Sequence, residues 1–288
     1  MTSLTIIIPL LKETETELFE TTLISILENR PEEDDILVVN AAGYDNCYDL
    51  KREEGVLFCC ADPQTTLIEA MNIGVRNAAT PYICPLLCGC AVEEGWAEPA
   101  LQHFEDSATA VVVPKLRKIT PAGREIVSFG YALSRDGELT SLGSDRVPAG
   151  GLSAPGIGGT FFRRQPVIDL GLFQPALGNF AIADMVFLIQ NLGGEVAYEK
   201  DSVLSYEAAA LPALGLPARL TAQERLYRRW SETWTETAGG AHAFRLFKEK
   251  LFGGSAARRA YAEAKKALDV PMPSQLLAAA HAAGSARR

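Results

Sequence analysis

Three groups of side chains in this 288-residue sequence could do chemistry. The first is Cys84-x-x-x-Cys88-x-Cys90, three soft thiols at a spacing that a thiolate-held metal could use. His103 is the histidine that could join them, and no second cysteine pair completes a zinc set. On a strand the same three cysteines share parity, so they also fit one core face as small apolar groups. The second group is Arg163-Arg164, two guanidiniums able to face a diphosphate without a metal, or simply to flank a strand. The third is Asp184, whose neighbours Ala183, Met185, Val186 and Phe187 would desolvate its carboxylate and raise its pKa.

Bulk properties limit where such groups can act. Hydrophobic residues make up 48% of the chain, enough for one large α/β domain with a full core. No apolar run reaches the roughly 18–20 residues of a membrane span. The start, Met1-Thr2-Ser3-Leu4, runs directly into Thr5-Ile6-Ile7-Ile8-Pro9, which reads as a core strand and not as a signal peptide. Six cysteines, at 47, 59, 60, 84, 88 and 90, lie mostly within apolar runs and fit a reducing cytoplasm better than a disulfide framework.

The net charge of −9 is unevenly spread. Residues 219–288 hold 13 Lys/Arg against 6 Asp/Glu, whereas the remainder holds 14 against 30. An acidic body excludes nucleic acid as the expected partner. The basic tail suits a protein partner, the acidic body of its own chain, or an anionic lipid surface, which would make the chain peripheral to the inner face of the membrane.

Strand and helix patterns alternate along the first half. Strands are expected at Leu4–Pro9, Ile36–Asn40, Val56–Cys60, Tyr82–Leu87 and Ala110–Val113, with helices carrying Leu18 to Leu27 and Leu67 to Ala78. This rhythm predicts a parallel sheet with right-handed crossovers and helices on both faces. Ligands of such sheets bind at the carboxyl ends of strands, here Pro9–Lys12, Asn40–Asn46 and Leu87–Val92. Asp45 and Asn46 read as turn formers, and Asn40 as either a base contact or a cap on its own turn. Residues 115–159 read as hairpins and loops. Beyond them come a strand at Thr160–Phe162, an apolar segment at Val167–Leu172, a helix near Ala181–Leu192 and short strands at Val196–Tyr198 and Val203–Tyr206. In the tail, Thr221-x-x-Glu224 has the form of a capping box, and Tyr227, Trp230 and Trp234 share a helical face, as do Phe244, Phe247 and Leu251.

Taken in order, these pieces resemble family 2 glycosyltransferases of the GT-A fold. Thr5–Pro9 is similar to that family's opening strand, and Leu37–Asn46 lies where it has a V-V-D-D-G-S-T-D-N turn. Ala70–Ala78 resembles its A-R-N-x-G-I-R-x-A helix, while Tyr82-Ile83 and Glu94-Gly95-Trp96 bracket the place of its D-x-D motif. Gly158–Arg164 and Phe173 resemble its G-x-x-x-x-x-R-R stretch and F-D-E turn, and Ala183-Asp184 lies at its E-D pair. The resemblance covers about Leu4 to Tyr206. It implies a three-layer α/β/α sandwich over residues 1–210, of the nucleotide-diphospho-sugar transferase type, with a basic helical extension over 211–288.

The departures from the family cluster around one pocket. Asn40 stands for the aspartate that accepts a uracil N–H, Leu10-Leu11 for a polar and aromatic pair, and Met71 for the helix arginine. Leu87-Cys88-Gly89 stands for the D-x-D that holds Mg²⁺ or Mn²⁺, and it offers no oxygen ligand for a hard cation. No cofactor is therefore expected, and without the metal the departing diphosphate loses its charge stabilisation. Asp184 remains at the place of the general base, although its companion acids are Ala183 and Val186. The resemblance implies two functions. One is a non-catalytic relative binding a glycan or a protein partner. The other is a metal-independent inverting transferase on a polysaccharide or lipid-linked acceptor, with Asp184 as base, Arg163 or Arg164 replacing the metal, and Asn40 and Asn72 touching the nucleotide sugar.

Overall fold

The computed structural model describes residues 3–31, 33–119, 125–128, 130–133, 139–141, 153–154, 158–207, 216–230, 254–266 and 271–286. Strand β1 (Leu4–Leu10) is buried along its whole length because β2 (Asp35–Asn40) and β4 (Tyr82–Pro85) pair with it in parallel on either side. Its apolar run alternates between two cores: Ile7 points into one, Ile6 and Ile8 into the other. Helix α1 (Thr16–Asn29) covers the second core with Phe19, Leu23 and Ile26, while α2 (Cys47–Glu54) leads to the edge strand β3 (Leu57–Cys60).

Helix α3 (Leu67–Asn77) lies on the first core and approaches β1 closely. A Cβ at Gly74 would stand 2.2 Å from the Ile7 Cγ2, so a side chain there would push the helix off the sheet. The helix starts with a capping box, Thr66 with Glu69. Strand β5 (Cys90–Val92), helix α4 (Glu98–Gln102) and the long β6 (Thr109–Ile119) follow. Strand β6 runs well past the expected Val113 and forms a hairpin with β7 (Glu125–Ser128). Three short strands, β8 (Tyr131–Leu133), β9 (Leu139–Ser141) and β10 (Ser153–Ala154), form a separate antiparallel sheet.

Strand β11 (Phe161–Arg163) inserts antiparallel between β4 and β6. The segment Arg164–Asp169 is helix α5, and a 3-10 turn at Pro175–Phe180 introduces α6 (Ala181–Asn191). The two expected short strands are one irregular strand, β12 (Glu195–Glu207), whose register shifts between Glu199 and Val203. The main sheet has the order β3-β2-β1-β4-β11-β6-β12-β5, with β7 beside β6. With helices over both apolar faces this is a three-layer α/β/α domain.

The tail packs back on this domain. Helix α7 (Leu216–Trp230) lies against the Pro175–Phe180 turn, and α8 (Gly254–Ala264) lies on α7. Leu276, Leu277 and Ala280 of α9 (Pro273–Ala286) reach the core beside α6. Helix α7 begins five residues before Thr221, so Thr221 sits inside it and donates to the Ala260 carbonyl, while Glu224 pairs with Arg228. The proposed division at 210–211, Trp234 and the Phe244–Leu251 stripe lie outside the described residues. Among the described residues, no helix is long and apolar enough to cross a membrane.

Candidate functional site

At the end of β1, Leu10 is buried with Leu87 and Cys88 in the core beneath α1, and Leu11 packs half-buried against the other core. At the end of β2, the Asn40 side chain closes its own turn. Its Oδ1 accepts the Tyr44 N–H at 3.1 Å, and its Nδ2 donates to the Tyr44 carbonyl at 3.0 Å. One amide thus satisfies two backbone groups that the chain reversal would otherwise leave unpaired.

The end of β4 is built from apolar packing. The Leu86 N–H bonds to the Ile7 carbonyl, and the Cys88 thiol donates to the Pro9 carbonyl at 3.5 Å. The Gly89 N–H donates to the Thr22 hydroxyl at 2.8 Å, with a left-handed φ of 89° that favours glycine. Gly158, also left-handed, lies so close to Leu87 that a Cβ there would come within 2.8 Å of the Leu87 Cγ. Cys84, Cys88 and Cys90 all face the core shared with α1, which is the packing alternative of the two readings of that cluster. Burial pushes the Cys88 and Cys90 thiols up to about 12, so they are protonated at neutral pH. Side chains of Leu87-Cys88-Gly89 supply no oxygen, and this donor set does not fit Mg²⁺ or Mn²⁺.

On α3, Met71 is fully buried against the sheet. Its neighbour Asn72 forms a reciprocal clamp: Nδ2 donates to the Phe173 carbonyl at 2.8 Å, and Oδ1 accepts the Phe173 N–H at 3.0 Å. Arg163 and Arg164 are equally occupied. Arg163 donates to the carbonyls of Thr109, Phe104 and Asp106 and lies near the rings of Tyr82 and Phe104. Arg164 donates from Nε to the Val75 carbonyl at 2.8 Å and from Nη2 to that of Arg76 at 3.1 Å. A guanidinium there satisfies the open carbonyls of the last turn of α3 and complements its dipole.

Asp184 lies in the first turn of α6, a helix buried on nearly every side. Its carboxylate is 1% exposed, and Oδ1 accepts from Arg229 Nε and Trp230 Nε1, both at 2.7 Å. Desolvation raises its pKa, against the lowering influence of the Arg229 charge and the two hydrogen bonds. Arg229 itself donates from Nη1 to the Pro271 carbonyl, so the ion pair joins α6, α7 and the segment before α9.

The predicted residues are therefore distributed over separate local networks and do not converge on one cavity. Asn72 and Arg164 both anchor α3, Asn40 closes a turn, Arg163 ties β11 to the 104–109 segment, and Asp184 ties down the tail. Arg229 and Trp230 were missed as partners of Asp184. Trp230 is visible as part of an apolar stripe, but nothing local marks a contact 46 residues away.

Against known proteins, the sequence profile described as "Glycosyl transferase family 2" matches residues 5–161. No curated protein sequence matches significantly. Among solved structures, "Crystal structure of GalNAc-T7 with UDP, GalNAc and Mn2+" superimposes with a TM-score of 0.60 at 15% identity. The match covers 92% of this chain but 58% of that chain, so the chain spans just over half the length of that relative. At this identity the likeness shows the fold, which is of the GT-A type.

Proposed function

The chain belongs to glycosyltransferase family 2, and from that premise we propose that it is a non-catalytic member that binds a glycan or a protein partner. What supports this reading above all is the state of the strand ends. The side chains of Asn40, Asn72, Arg163 and Arg164, which the resemblance would set against a nucleotide sugar, are bonded to the protein's own backbone, and Leu10, Met71, Leu87 and Cys88 are buried.

The chemistry follows from that occupancy. Transfer from a nucleotide sugar develops charge on the departing diphosphate, which a metal or a free cationic side chain must stabilise. Leu87-Cys88-Gly89 has no hard ligand to offer Mg²⁺ or Mn²⁺. Arg163 and Arg164 could replace a metal only by giving up carbonyls inside the fold, at about 1.5–3 kcal/mol per charge-assisted hydrogen bond. A metal-independent transferase with Asp184 as base is the second reading, favoured by the upward shift of its pKa. Such a base must reach an acceptor hydroxyl, yet this carboxylate is closed to solvent and ion-paired.

Isothermal calorimetry on the full chain with UDP, GDP and several nucleotide sugars, each with and without Mn²⁺, tests the proposal. Weak or undetectable heats that Mn²⁺ does not change are expected. Micromolar binding of any of these nucleotides would overturn it.

A further inference from the structure

A cleft of about 570 Å³ opens between α3 and the loop at 171–175, next to the segment that leaves β3. It is lined by none of Leu10, Asn40, Met71, Leu87, Cys88 or Asp184. We propose that this cleft binds a neutral saccharide; the inference rests on the non-catalytic binding reading above and gives the glycan a place beyond the end of β3, apart from the ends of β1, β2 and β4.

Four observations carry it. First, Gln174 lines the cleft, is only 9% exposed, and its amide has no side-chain hydrogen bond among the described residues. The amide group therefore opens on the cleft, where it can donate to one hydroxyl while accepting from the next. Second, further planar polar groups converge there. Arg76 is exposed with its guanidinium unbonded among the described residues, Gln64 is likewise open, and Asp62 uses only Oδ1, to accept the Gln64 N–H at 2.7 Å.

Third, Ile73 and Leu172 give the wall an aliphatic surface suited to the C–H face of a sugar ring. The cleft's acids, Asp62 and Glu69, outnumber its one cation, Arg76, which disfavours a diphosphate or other polyanion. Its size is that of small-ligand sites, roughly 300–1,000 Å³.

Fourth, the wall is preformed. Leu172 holds a left-handed φ of 70° and bonds back to the Val167 carbonyl, while the Asn72 clamp fixes Phe173 one residue on. A loop ordered before the ligand arrives spares the binding step that entropy cost. Asn72 on this reading is a positioning residue that holds Gln174 beside α3.

The test is an amide NMR titration of the isotope-labelled full chain with lactose, maltose and chitobiose, each to about 20 mM, enough to approach saturation at a Kd of order 1 mM. At least one sugar should give saturable shifts at Ile73, Arg76 and 171–174. Arg76→Ala, at an exposed site, should weaken that binding several-fold, and Ile73→Trp, which fills the cleft, should abolish it with the rest of the spectrum unchanged. No shift with all three sugars would overturn the proposal. So would shifts centred on Asn40 or Leu87, or shifts at the cleft that survive both substitutions. A parallel titration with UDP and Mn²⁺ keeps the two questions apart. Strand-end shifts there would sink the non-catalytic reading whatever the sugars do at the cleft.

Discussion

The strand end at Leu87–Cys90 and the junction at Asp184 lie where the family resemblance sets a metal-binding motif and a general base, and the two places are built by different physical means. At the first, the side chains are apolar and belong to a core. At the second, the charge is still present but is enclosed between α6 and α7 with Arg229 and Trp230. An apolar strand end offers no side chain that can carry charge, whereas an enclosed carboxylate can meet a solute only if the fold opens. A retained acidic residue is therefore no sign of a retained base until its partners are known.

The sharpest way to break this comparison is Asp184→Ala. Removing the carboxylate leaves the Arg229 charge buried with one partner gone, which should cost about 3–5 kcal/mol of unfolding free energy. Urea denaturation followed by tryptophan fluorescence measures it. Replacing both members, Asp184→Leu with Arg229→Met, should recover much of the loss, because no lone charge then remains inside. A stability within 1 kcal/mol of wild type for Asp184→Ala would mean the pair contributes little to the fold, and would revive a catalytic role for the carboxylate.

Asp34 sharpens the comparison from the other side, as a buried carboxylate without a guanidinium on it. Oδ1 accepts the Leu4 N–H at 2.9 Å, Oδ2 has no partner among the described residues, and Arg30 bonds its backbone carbonyl instead. Burial pushes its pKa from 3.8 up to about 6. The folded state thus holds a proton that the unfolded chain has already released between those values. Its stability contribution is complete below the unfolded pKa of 3.8 and is lost as pH rises through about 6. The penalty by pH 7.5 is at most about 3 kcal/mol. Asp34→Asn should flatten the pH dependence of stability between pH 4 and pH 7 and raise stability at pH 7.5. An unchanged slope in that variant would show that Asp34 ionises in the fold as it does in water.

The difference between what could and could not be read in the residues has the same origin. The β-branched runs at Leu4–Leu10 and Asp35–Asn40 specify buried parallel strands locally, so the order of the sheet's first half is legible. A Thr-x-x-Glu pattern is less decisive. At Thr66 it caps α3, but at Thr221 it falls inside a helix that starts at Leu216-Pro217, with proline in the first turn where its missing N–H costs nothing. The fate of polar side chains is the least legible of all. Asn72 with Phe173 and Asp184 with Arg229 are pairings made by tertiary packing across 101 and 45 residues. Periodicity carries no record of them.

The smallest effect concerns the thiols, and it checks the apolar side of the comparison without perturbing the fold. Cys60 is exposed at the end of edge strand β3, Cys47 and Cys59 are half-buried, and Cys84, Cys88 and Cys90 are buried. With thiols pushed up to about 12, Cys88 and Cys90 hold only ~1 in 10⁴ molecules as thiolate at pH 8, and it is the thiolate that attacks iodoacetamide. Peptide mapping after brief alkylation of the native chain should find Cys60 modified first and Cys88 and Cys90 untouched, with no measurable loss of stability. Urea should make all six react alike, since unfolding removes the burial that raises the core thiols. Early labelling of Cys88 in the native chain would place the Leu87–Cys90 strand end in solvent, and the contrast between an apolar and an ion-paired buried place would fail there.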